Sequence, residues 1–210
     1  MPMNRIDYDV VALDEVKELF RRAEEFAKEI EGSNSELPIP AVNELRYAGN
    51  HVLKAVTAGD KAVFDQEVLK AKGHCQRSMY EASESGIAFA LDLIKEFQDD
   101  YRDLVVAEIV PDYADMGVRA NRARAMLAEG RSNRTSPEGQ ADRYMNTFRE
   151  LQGIVDKLQA SRNDLNARKL ALRREDRRFT ARMVLFVVVP ILVAIVTALF
   201  TCLRGMGTPE

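Results

Sequence analysis

The chain is poor in the residues from which compact chemical sites are built. Its 210 residues include only two cysteines, Cys75 and Cys202, and only two histidines, His51 and His74. Two cysteines so far apart exclude a disulfide framework and a C-x-x-C or Cys/His zinc motif. Neither histidine follows a glutamate by three positions, so the Glu-x-x-His pairs of di-iron bundles are missing. There is no glycine-rich phosphate loop, nucleophile elbow or Ser/His/Asp arrangement. No metal and no cofactor are expected. The four carboxylates Glu96, Asp99, Asp100 and Asp103 read as a solvated charged face, because no second carboxylate helix bearing histidine accompanies them. The first 16 residues carry no apolar stretch of the kind a secretory signal needs.

What is present is sorted along the chain. With 46% apolar and 30% charged residues the composition is that of a folded protein, not a disordered one. A very apolar tail offsets a polar remainder in the mean hydropathy of -0.27. From Met183 to Leu203 run 21 residues without a charge, MVLFVVVPILVAIVTALFTCL. At about 1.5 Å per residue such a helix is roughly 30 Å long, the thickness of a bilayer's hydrocarbon core. A single transmembrane helix over 183–203 is therefore expected, with Pro190 removing one backbone hydrogen bond and introducing at most a mild kink. Cys202, at its far boundary, invites reversible acylation or simply fills the helix end.

The flanks set the expected orientation, since Lys and Arg accumulate on the cytoplasmic side. Arg162, Arg168, Lys169, Arg173, Arg174, Arg177, Arg178 and Arg182 precede the span, and Arg204 alone follows it. This predicts a tail-anchored, single-pass protein whose N-terminal part is cytoplasmic, with a bacterial inner membrane as the default compartment. The glycosylation pattern at Asn133 would then be accidental. Arg168, Lys169, Arg173, Arg174, Arg177, Arg178 and Arg182 also form a candidate membrane surface for anionic lipid headgroups. Residues 1–110 hold 22 acids against 13 Lys/Arg, a net charge of -9, whereas 111–210 hold 11 against 17, a net of +6. An acidic N-terminal part argues against nucleic-acid binding.

Apolar spacings of three and four recur through the polar part, and strand-like alternation does not. The expected fold is all-α: a cytoplasmic antiparallel helical bundle with a long C-terminal helix running into the span. Its expected divisions are a bundle over 1–130, a linker over 131–139, a long helix and basic stalk over 140–182, the span over 183–203 and a short tail over 204–210. A first helix is predicted from Val10 to Glu31, ended by Gly32 and the prolines that follow. A second, from Ala41 to Ala58, should bury Val42, Leu45, Gly49, Val52 and Val56. Asp60 is expected to cap a third and long helix reaching toward Ile109, on which Ala71, Ala82 and Gly86 mark a close approach by a neighbour. After a break at Pro111, a fourth helix covers 112–129. Ser136, Pro137 and Glu138 have the pattern of a helix start.

In that last helix Tyr144, Leu151, Leu158, Leu165, Leu172 and Phe179 recur every seven residues. The second seam position changes from Phe148 and Val155 to Arg162, Lys169 and Asp176. Only the first half can bury a two-residue seam, so it should pack on its own bundle and the second half should be a solvated stalk. Self-association through the leucine line would give a homo-oligomer.

The segments LRYAGNHVLKA (45–55) and AKGHCQRSMYEA (71–82) resemble the helical hairpin of HEPN-type domains. That resemblance implies a bundle of four or five helices and, in catalytic members, ribonuclease activity from an Arg-x(4–6)-His motif. Here Arg46 and His51 match it. Carried over, Arg46 would stabilise the phosphate and His51 would handle a proton beside a ribose 2′-hydroxyl, and RNA would then be a partner. Read from the residues alone, the two simply flank a core-facing helix. Three functions stay open: a membrane-anchored binding, sensor or effector module with an unidentified protein partner, a membrane-tethered ribonuclease, and an effector that oligomerises to permeabilise the membrane.

Overall fold

The computed structural model describes residues 9–132 and 140–205. Residues 133–139, which hold most of the predicted linker, Asn133 and the expected helix start at 136–138, lie outside the described residues. So do residues 1–8, the end of the tail and the side chain of Cys202. Among the described residues the protein is entirely helical. Helices α1 (Val10–Asn34), α2 (Ile39–Val56), α3 (Lys61–Asp100), α4 (Tyr113–Ser132) and α5 (Ala141–Met183) form a packed bundle, with a short 3-10 turn at Val106–Glu108. A π-turn (Val184–Val188) and α6 (Val189–Gly205) follow. The chain divides into two compact units, residues 1–160 and 161–210.

Within the first unit the helices alternate in direction, because short connections favour antiparallel neighbours. Asp9 caps α1 by accepting from the Ala12 amide at 3.1 Å, and Asp60 caps α3 by accepting from the Val63 amide at 2.9 Å. The α1 C-cap differs from expectation: Gly32 stays helical, and Ser35 takes the left-handed conformation at φ 55°. Helix α3 ends at Asp100, well short of Ile109, so Asp103 leaves the face it was expected to share with Glu96 and Asp100. Asp112, after Pro111, adopts φ 60° and starts α4.

The centre of the first unit is a line of contact among α1, α3 and α5. Phe26 and Phe148 meet edge to face at 5.9 Å. Gly86 lies so close to them that a Cβ there would be 2.5 Å from Ile30 Cδ1 and 2.7 Å from Phe148 Cδ2. This is the close approach that the small residues of α3 implied. Arg149 clasps Glu29 with two hydrogen bonds, Nε to Oε1 at 3.1 Å and Nη2 to Oε2 at 2.9 Å, on the rim of the same contact. At the other side Tyr144 donates its hydroxyl to the Met126 carbonyl at 3.1 Å and packs on Tyr80 at 4.7 Å. Burial and the Tyr144 hydroxyl together push the Tyr80 phenol above its ordinary pKa. Tyr144, Phe148, Leu151, Val155 and Leu158 are all buried, and so is Leu165, whereas Phe179 is 66% exposed.

Helix α2 corrects the expected phase. It buries Ala41, Leu45, Ala48 and Ala55, while Val42 and Val56, expected inside, are exposed. The cause is the closeness of α2 to α3, which selects alanine at 41, 48 and 55 and turns the branched residues outward. The buried Ser78 hydroxyl donates to the Ala41 carbonyl at 2.8 Å across that contact.

In the second unit α5 continues into the π-turn, where the Val189 N–H bonds back to the Val184 carbonyl. Pro190 explains its position: the ring has no N–H and crowds the carbonyl one turn earlier, and an i→i+5 turn there relieves the clash.

Candidate functional site

The most organised polar cluster lies on the hairpin of α2 and α3. Each helix carries a glutamate and, seven residues later, a histidine: Glu44 and His51 on α2, Glu67 and His74 on α3. Seven residues are almost two full turns, so each pair shares one helix face. The two helices run antiparallel, and the pairs therefore meet crosswise. His51 Nδ1 lies 2.6 Å from Glu67 Oε2, and His74 Nδ1 lies 2.7 Å from Glu44 Oε2. The imidazoles stack on each other, 5.0 Å between centroids and 14° from parallel. Side-chain exposure is 16% for His51 and 17% for His74, so the rings are neither sealed nor free.

Two cations complete the cluster. Lys70 donates to Glu67 Oε1 at 2.7 Å, and Arg77 Nε donates to Glu44 Oε2 at 3.0 Å. Lys70 first and His51 second lower the Glu67 pKa to about 2. Glu67 is then an ionised acceptor, so Nδ1 of His51 carries the proton and donates it. Nε2 of that ring has no partner among the described residues. His74 is contested: Arg77 Nη2 lies 2.9 Å from the same Nδ1 that faces Glu44. A guanidinium only donates and a carboxylate only accepts, so one ring nitrogen serves one of them at a time, and the His74 tautomer follows.

The cluster is balanced without an added ion, two carboxylates standing against Lys70 and Arg77. Near-parallel stacked rings also cannot aim both in-plane lone pairs at one point. Consistent with this, no group of three or more His, Cys, Asp or Glu among the described residues is placed to hold a metal. The arrangement supplies two carboxylate-oriented imidazoles and a polar lock between α2 and α3.

Of the residues singled out by the HEPN resemblance, His51 belongs to this cluster and Arg46 stands beside it. The Arg46 guanidinium lies 5.0 Å over the Tyr47 ring, and Tyr47 is 5.5 Å from His74. Nothing among the described residues brings Arg46 to His51, as expected for residues five apart on one helix. Glu44 and Glu67 match no motif in the sequence taken one helix at a time. The duplicated Glu-x6-His spacing in the two arms of a hairpin is the signal that reveals them.

The second candidate is the apolar segment. Among the described residues one helix is long and apolar enough to cross a membrane, with a mean hydropathy of 2.6 over its most apolar stretch and none of that stretch buried in the protein. Arg168, Arg173, Arg174, Arg177, Arg178 and Arg182 are exposed on the helix leading into it, and Lys169 is half-buried. Comparison with protein-family models, characterised proteins and solved structures finds no match.

Proposed function

We propose that this protein is a single-pass membrane protein whose helical bundle faces the cytoplasm and acts by binding. The observation that carries the reading is the bare apolar helix: a segment of mean hydropathy 2.6, wholly exposed, directly after an arginine-rich stretch. Left in water, an apolar surface of that size would drive aggregation, and a bilayer is the solvent that suits it. The arginines before it favour a cytoplasmic bundle. In carbonate-washed, floated membranes the full-length chain should stay with the lipid, and protease added outside intact cells should spare the bundle. Recovery in the soluble fraction would overturn the reading.

A binding role is supported by α2, which leaves Ile39, Val42, Leu53 and Val56 exposed on one side of a helix already packed on the other. A photo-crosslinking residue at Leu53 should trap a protein partner in native membranes, while one at exposed Asp156 should not.

A second reading, a membrane-tethered ribonuclease using Arg46 and His51, is favoured by one observation: Glu67 orients the His51 ring and leaves Nε2 unpartnered, as a proton acceptor requires. Detergent-purified protein should then cleave labelled RNA, and His51→Ala should abolish cleavage with helicity unchanged. Intact RNA would sink this alternative.

A further inference from the structure

We propose that the arginines of the stalk form a docking surface for anionic lipid headgroups, an inference that rests on the membrane reading above. Residues 168–182 contain six arginines and one lysine against Glu175 and Asp176. At about 100° per residue, Arg173, Arg174, Arg177, Arg178 and Arg182 fall within one half of the helix circumference. Leu172, Phe179 and the two acids occupy the other half. All five arginines are exposed, and none is ion-paired among the described residues. They are available to an external anion.

Position and residue type define that anion. Arg182 adjoins the apolar run, and Arg178 and Arg177 lie about 6 to 7.5 Å back from Arg182 along the helix, within a Debye length at physiological salt. Arginine stems reach along the helix toward the headgroup layer while keeping the charge in water. The planar guanidinium offers paired donors that match phosphate oxygens, which lysine does not. The partner is therefore a phosphate-bearing anionic lipid of the leaflet that the bundle faces. A topology signal needs only positive charge during insertion. Lipid docking also requires a preference that persists after insertion, and this separates the two roles.

Each arginine near an anionic leaflet favours it about five-fold. The test uses the full-length chain reconstituted in phosphatidylcholine vesicles doped with nitroxide-labelled phosphatidylglycerol or labelled phosphatidylcholine, with motionally restricted lipid read by electron paramagnetic resonance. Labelled phosphatidylglycerol should associate at least about five-fold more strongly than labelled phosphatidylcholine. The preference should fall below about two-fold in an Arg177→Gln, Arg178→Gln, Arg182→Gln variant and in about 1 M salt, where screening is nearly complete. Equal restriction of both lipids by the unaltered protein overturns the inference and leaves the membrane reading standing. An unchanged preference in the triple variant overturns the assignment to these arginines. If neither lipid is restricted and the chain does not float with the vesicles, the membrane reading itself fails.

Discussion

Gly86 allows the packing of the bundle to be tested with a single methyl group. A Cβ at this position would lie 2.5 Å from Ile30 Cδ1, and 2.7 and 2.9 Å from two ring carbons of Phe148. Carbon atoms in contact prefer about 3.5 to 4.0 Å, so two neighbours must each retreat by roughly 1 Å. Neither can do so freely, since Ile30 is 0% and Phe148 1% exposed. Overpacking of this kind costs about 1–3 kcal/mol, and the better helix propensity of alanine returns about 1 kcal/mol. Gly86→Ala should therefore be destabilised by up to about 2 kcal/mol, and Gly86→Val by more. Gly153, on exposed α5 surface, has nothing within 4 Å of the corresponding position. Gly153→Ala should gain about 0.5–1 kcal/mol. Urea unfolding of the full-length protein in mild detergent, followed by circular dichroism, compares the two directly. If Gly86→Ala proves as stable as Gly153→Ala, then α1, α3 and α5 do not converge at this point.

The cross-paired histidines predict a pattern of coupling. Double-mutant cycles on unfolding midpoints should show interaction between Glu44 and His74 and between His51 and Glu67, and none between Glu44 and His51 despite their shared face. Because the Glu67 pKa is lowered from 4.5 to about 2, its stabilising contribution is complete above about pH 4.5 and is lost as pH falls through about 2. Acid titration of Glu67→Gln should be flatter than that of the unaltered protein across that window. Burial raises the Cys75 thiol to about 11, so in a Cys202→Ser background native protein should resist thiol reagents at pH 7 and react fully once unfolded. Fast modification of the native form would contradict the burial of Cys75.

The helices were legible because their stop and start signals are local. Asp60 caps α3 as its position before the periodic run implied, and the Tyr144 to Leu158 line buried as its seven-residue repeat implied. What the pattern missed depends on a partner helix. The stripe of α2 was misphased because hydrophobicity favours valine over alanine as the buried residue, while helix spacing decides the opposite when two backbones come close. The predicted end of α3 ran too far because Tyr101, Leu104, Val106 and Val110 continue an apolar rhythm through what is a turn. Glu44 and Glu67 carry no signal within their own helices, because a carboxylate becomes informative only when a cation or imidazole from another segment meets it. Gly86 was readable as a small residue, but not as one pressed by Ile30 and Phe148.

The wider loop ahead of Pro190 has a geometric result for any pairing of two copies. Accommodating one additional residue turns everything downstream by about 100° relative to an unbroken spiral. The row that carries Leu172 and Phe179 therefore emerges on a different side once the apolar portion begins. Two chains zipped along that row would present mismatched flanks beyond Val188, and chains matched there would separate upstream. Self-recognition can run through either stretch, but a single straight seam cannot serve both.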